Sequence, residues 1–118
     1  MMFSKKGGGV FKKQIAEAEN VFSSSLLEAE VLAAARREGL SLSIAGEFIQ
    51  TVSLVFPDRS LKDELMQILL GNYCRGADAC HLATALYLDP EMKNLVFLSA
   101  DQAQSNIAKK MGFVVSGP

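Results

Sequence analysis

Asp78 and His81 stand three residues apart in Cys74–Leu88, an otherwise apolar stretch that reads C-R-G-A-D-A-C-H-L-A-T-A-L-Y-L. Written as a helix from about Ala77, it places Asp78, His81, Leu82 and Ala85 along one face, because residues three and four apart are neighbours on a helix. A carboxylate in the first turn of a buried helix needs helix-end amides, a basic partner or a metal ion to offset its desolvation. Two more acids sit where the apolar pattern does not explain them. Glu30 falls inside the stripe Leu26, Leu27, Val31 and Ala34, and Asp101 follows the apolar run Leu95–Leu98 by three residues. If the three acids converge to ~4 Å, each pair repels by about 4 kcal/mol at an effective dielectric of roughly 20, so a proton or a divalent cation must intervene. Oxygen-only ligands select Mg2+ or Mn2+, and such an ion polarises a phosphodiester and lowers the pKa of an attacking water.

Each residue also has a plainer reading. Asp78 and Asp101 are candidate N-caps, and Glu30 can turn to the surface or pair with Arg36 or Arg37. His81 is placed as a base or ligand, yet a lone helical histidine more often serves as a hydrogen-bonded structural residue, and magnesium prefers oxygen to imidazole. Arg75 is a candidate phosphate contact, because guanidinium matches phosphate oxygens, and equally a helix-end ion pair.

The elements that must position these residues follow from pattern and caps. The chain has 118 residues, enough for one core, and 49% of them are apolar, which argues against disorder. Twelve Lys plus Arg against thirteen Asp plus Glu leave no net charge that would announce a nucleic-acid or membrane partner. Cys74 and Cys80 are too few for a disulfide framework and wrongly spaced for a zinc knuckle, so they read as small buried thiols in a reducing cytoplasm. No run approaches the ~20 apolar residues of a membrane span, and no secretory signal opens the chain, so a cytoplasmic location is expected.

Met1–Gly9, ending in Gly7-Gly8-Gly9, reads as a flexible leader, and residues 10–118 read as the domain. Phe11, Ile15 and Ala18 predict a short amphipathic helix from Val10 to Asn20, and Val21-Phe22 a short strand or connector. Ser25 with Glu28 has capping-box spacing and opens a helix from about Ser25 to Glu38 before Gly39. A further helix is expected from about Ser43, a strand over Val52–Phe56, and a helix capped by Ser60 and Asp63 that runs to Gly71. The opening helix stops at Asp89-Pro90. Leu95–Leu98 then predicts a strand, Ala103, Ile107, Ala108 and Met111 an inward helix face with Gly112 as cap, and Phe113–Val115 a last strand. Strand, helix and strand at this spacing form a parallel crossover, so the fold class is α/β with a parallel sheet and ligands at the carboxyl ends of its strands.

Four segments together carry a family resemblance: Ser24–Leu32 (S-S-L-L-E-A-E-V-L), Arg75–Leu86 (R-G-A-D-A-C-H-L-A-T-A-L), Phe97–Asp101 (F-L-S-A-D) and Ala108–Phe113. They resemble PIN domains, particularly the VapC-type toxin ribonucleases, with D-A-x-H-L-A-x-A the most specific part. The resemblance implies a three-layer fold with a parallel central sheet and helices on both faces. It also implies an endoribonuclease that hydrolyses RNA at an acidic Mg2+ or Mn2+ site. By motif position, Glu30, Asp78 and Asp101 would be the catalytic and metal-binding acids, and Thr84 and His81 would line or support the helix that presents Asp78; Thr84 joins Arg75 as an expected substrate contact. The family suggests an antitoxin partner that reaches the carboxylates with Arg or Lys. PIN domains begin with a central strand ending in Asp, usually within D-T/S, and this chain has no Asp before Asp58. The expectation is therefore an N-terminally truncated PIN-like domain that self-associates as a dimer or by strand exchange, with a catalytically inactive binding or interaction module as the alternative.

Overall fold

The structure is a computed structural model, which describes the backbone of residues 2–5 and residues 20–116 in full. In chain order the elements are β1 (Met2–Lys5), β2 (Val21–Ser24), α1 (Leu26–Arg37), α2 (Leu42–Gln50), β3 (Ser53–Val55), α3 (Lys62–Gly71), α4 (Gly76–Leu88), β4 (Leu95–Leu98), α5 (Gln102–Met111) and β5 (Val114–Ser116). The helix expected over residues 10–19 lies outside the described residues.

One five-stranded sheet has the order β3-β2-β1-β4-β5. β2 and β3 pair in parallel, as do β4 and β5, while β1 runs antiparallel to both of its neighbours. Four strands therefore share one direction and the central strand opposes them. The α/β class holds, but the all-parallel sheet expected from the crossover unit is corrected to a mixed one.

The expectation of a leader through Gly9 is also corrected over Met2–Lys5, which form the middle of the sheet. Phe3 lies opposite Phe22 on one side and Phe97 on the other. Four residues, only one of them a strongly strand-forming type, do not announce a strand. What makes them one is the slot between β2 and β4, whose facing backbone groups require partners on both sides.

The core gathers around α4, where Ala79, Leu82, Ala83, Ala85 and Leu86 are buried, and around β4, all four of whose residues are buried. Alanines let the helix approach the sheet closely at little side-chain entropy cost. Ile68 of α3, Ala108 of α5 and Phe113 close the same cluster. The rings of Phe97 and Phe113 meet at 6.2 Å between centroids, tilted by 38°, within the range favoured by aromatic pairs.

Local chemistry fixes the turns. Asp89 is buried and its Oδ2 accepts from the amides of Asn94 (2.8 Å) and Leu95 (2.9 Å), so it ends α4 and starts β4 at once. Gly112 has φ of 122°, and a Cβ there would come within 3.3 Å of the Met92 side chain. Both facts call for glycine at that cap. The capping box expected from Ser25 and Glu28 is not formed: Ser25 makes no side-chain cap, and Ser24 Oγ instead accepts from the Leu26 amide at 3.1 Å. Among the described residues, no helix is long and apolar enough to cross a membrane.

Candidate functional site

α4 begins at the side of the sheet where β2 and β4 end, and three neighbours meet its first two turns. From α1, Glu30 reaches across so that its Oε1 lies 2.6 Å from Nε2 of His81. From α5, Gln104 Nε2 donates to the carbonyl oxygen of Asp78 at 3.4 Å, a long contact that still sets the starts of the two helices side by side. The segment after β4 is folded by Ser99, whose Oγ accepts from the Asp101 amide (3.0 Å) and lies 3.1 Å from Gln104 Oε1.

Asp101 is an N-cap. Its Oδ1 accepts from the amides of Ala103 (2.9 Å) and Gln104 (3.3 Å), satisfying two donors that the helix cannot use itself. Asp78 sits half-buried in the first turn of α4, with neither carboxylate oxygen hydrogen-bonded to a described residue. Glu30 does not lie in the apolar stripe of α1 as its spacing suggests. Its side chain is 47% exposed, while that of its partner His81 is 2% exposed. An exposed carboxylate thus fastens one end of a buried ring.

Burial lowers the pKa of His81, and the hydrogen bond to Glu30 only partly opposes it. The ring is therefore neutral near pH 7 and donates Nε2–H to Glu30. Its Nδ1 is buried without a hydrogen-bond partner among the described residues. An unpaired lone pair there costs less than the unpaired N–H that an imidazolium would carry. Cys74, one turn before Asp78, has its thiol pushed up by burial first and then by the Asp78 charge, so it stays protonated. Both cysteines are free.

The two residues expected to face substrate part company. Arg75 is exposed at the N-cap of α4, three positions before Asp78, and makes no ion pair with a described residue. Thr84 is buried, and its hydroxyl donates to the carbonyl of Cys80 at 2.8 Å within its own helix. The expectation that Thr84 touches substrate is corrected: its role in the described structure is packing.

The donor chemistry of Glu30, Asp78 and Asp101 suits a hard cation, since Glu30 Oε2, Asp101 Oδ2 and both oxygens of Asp78 have no hydrogen-bond partner among the described residues. Among those residues, however, no group of three His, Cys, Asp or Glu side chains is gathered so that it could hold a metal ion. The three acids are brought to one region without forming one cluster. Gln104 and Ser99, which join the two helix starts, were not among the expected site residues. Gln104 lies three residues after Asp101, a capping-box spacing that marks it in hindsight. In comparisons with family models, curated proteins and solved structures, none matches this chain.

Proposed function

We propose that this chain is a PIN-like domain of the VapC ribonuclease type, acting on RNA at the face where α4 and α5 begin. The observation that supports this reading is the convergence on the first two turns of α4: Asp78 lies in it, Glu30 is bonded to His81 within it, and Asp101 caps the helix tied to it through Gln104. Asp78 and Asp101 would hold Mg2+ or Mn2+ together with a phosphate and water, the mode in which magnesium uses one or two carboxylates. The bound ion would supply polarisation of the phosphate and a more acidic water. His81 orients the Glu30 carboxylate toward solvent, and Arg75 offers a phosphate contact. In this reading the setting is cytoplasmic, and the three-layer fold and a peptide antitoxin that presents Arg or Lys to the same acids follow from the family resemblance. Self-association by exchange of β1 belongs to the same proposal.

A second reading is a PIN-like binding module without hydrolytic chemistry. Its support is specific: the central strand Met2-Phe3-Ser4-Lys5 carries no acid and runs against its neighbours, so no carboxylate from it joins the other three. One experiment separates the two. Manganese-dependent cleavage of RNA, abolished in Asp78→Asn, supports the ribonuclease. If manganese changes neither thermal stability nor RNA cleavage, the ribonuclease reading fails and the binding module stands.

A further inference from the structure

We infer that the groove between α5 and the outer edge of β5 is a docking site for an extended peptide segment of a partner protein, bearing an acidic side chain. The inference stands apart from the acidic face and does not depend on ribonuclease activity. β5 is the last strand of the sheet and pairs only with β4, so its outer backbone groups have no ladder partner among the described residues. An unpaired edge is a template for another strand, and proteins blunt it by shortness, by lysine or proline, or by a bulge; β5, with three residues, is short. Val114, Val115 and Ser116 include neither lysine nor proline, and Val114 is 44% exposed.

Beside that edge lies a groove of about 470 Å³, lined by Val114 and Val115 on one wall and by Gln102, Ser105, Asn106 and Lys109 of α5 on the other. Its polar groups are in place and partly unused. Ser105 is buried, and its Oγ has no hydrogen-bond partner among the described residues. A buried hydroxyl in that state calls for a partner, and the groove is where one can enter. Gln102 Nε2 donates to Asn106 Oδ1 at 2.8 Å, which leaves the outer oxygen of Gln102 and the amide nitrogen of Asn106 open. Lys109 forms no ion pair with a described residue, so its ammonium, in the last turn of α5, is offset only by the helix C-terminus and is open to an acidic partner.

An added strand satisfies both walls. Its main chain pairs with β5, while alternate side chains point into the groove, as in strand-addition recognition. The residue facing Lys109 is then Asp or Glu, held by the ammonium and the neighbouring amides. Three residues of edge give few main-chain bonds, so binding is weak and the groove supplies the selectivity.

The test is an amide NMR titration of the full chain with an acetylated, amidated peptide Thr-Val-Glu-Val-Thr-Val. Shifts confined to β5 and α5 are expected, with Lys109→Glu weakening binding about fivefold to tenfold. The same peptide with Lys in place of Glu should bind Lys109→Glu better than the unaltered protein. Lys109 is exposed, so this variant keeps the fold, and unchanged thermal melting will verify that. Absence of shifts at roughly 1 mM peptide, shifts located elsewhere, or indifference to Lys109→Glu would each overturn the proposal.

Discussion

Glu30 Oε1 and His81 Nε2 lie 2.6 Å apart although 51 positions separate them in the chain, and this bond joins α1 to the second turn of the central helix. The ring end that meets Glu30 is satisfied, whereas Nδ1 is buried without a described partner. Replacing His81 by leucine, which is similar in size, removes one good hydrogen bond and one unsatisfied atom together. The half-exposed Glu30 carboxylate can take water in place of the ring, so His81→Leu should fall within about 1 kcal/mol of the unaltered protein. His81→Ala leaves a cavity and should cost about 2–4 kcal/mol. Urea unfolding of both variants measures the difference, and equal losses would show that the hydrogen bond, not the volume, holds the site.

The same ring predicts a pH dependence. Burial lowers the folded-state pKa of His81 below the ordinary value of 6.5. Above 6.5 the ring is neutral in both states and contributes no pH dependence. As pH falls below 6.5, the unfolded chain takes up a proton that the folded ring resists, so stability declines until the folded pKa is reached. The slope in that window is at most about 1.4 kcal/mol per pH unit. Denaturant midpoints followed downward from pH 7 should show the decline in the unaltered protein and a flatter profile in His81→Leu.

Asp101 has a structural duty that is separable from any cation. Asn accepts hydrogen bonds at an N-cap about as well as Asp, so Asp101→Asn should cost less than about 0.5 kcal/mol, while Asp101→Ala should cost about 1 kcal/mol. If Asp101 also binds an ion, Asp101→Asn will lose manganese-induced stabilisation despite its intact stability. Thermal shifts with and without manganese read both effects. Retained manganese stabilisation in Asp101→Asn would confine Asp101 to capping.

Asp89 holds the turn between α4 and β4. Its Oδ2 serves two backbone amides at the start of β4, and both lose their acceptor in Asp89→Ala. A loss of about 2–4 kcal/mol is expected, with a smaller one in Asp89→Asn, which keeps one oxygen acceptor. Equilibrium unfolding of the two variants will rank them.

These residues also show where the sequence was legible. α1, α4 and α5 lie within one or two residues of their expected bounds, because their ends carry local signals: Gly39 after α1, Pro90 after α4, Gly112 after α5. Glu30 and His81 each stood out as unexplained, but their partnership is a contact between distant segments that helical spacing does not encode. Asp89 looked like a simple helix stop, since the amides it accepts from belong to a turn whose path depends on β4. β1 was illegible for a related reason. Met2–Lys5 have no strand signature of their own, and their position and direction come from the two strands that flank them.

β1 is held by pairing on both sides, and residues 6–20 separate it from β2, far more than the two to five residues of a common hairpin connection. A separation of that length in sequence does not by itself bind β1 to its own sheet, and the slot between β2 and β4 can take the same strand from a second copy. Ser4 lies opposite Val96 in the register of β1 and β4. Directly opposed positions in an antiparallel pair have Cβ atoms about 4.5–5.5 Å apart, near enough for cysteines to be oxidised into a bridge after small adjustment. Ser4→Cys combined with Val96→Cys, in a chain with Cys74 and Cys80 replaced by serine, should therefore form a disulfide that reports where β1 sits. If copies exchange β1, oxidation at high protein concentration will yield covalent dimers on non-reducing gels, and neither single-cysteine variant will produce them at that yield. A bridged monomer at every concentration would show that β1 stays in its own sheet and would end the strand-exchange proposal.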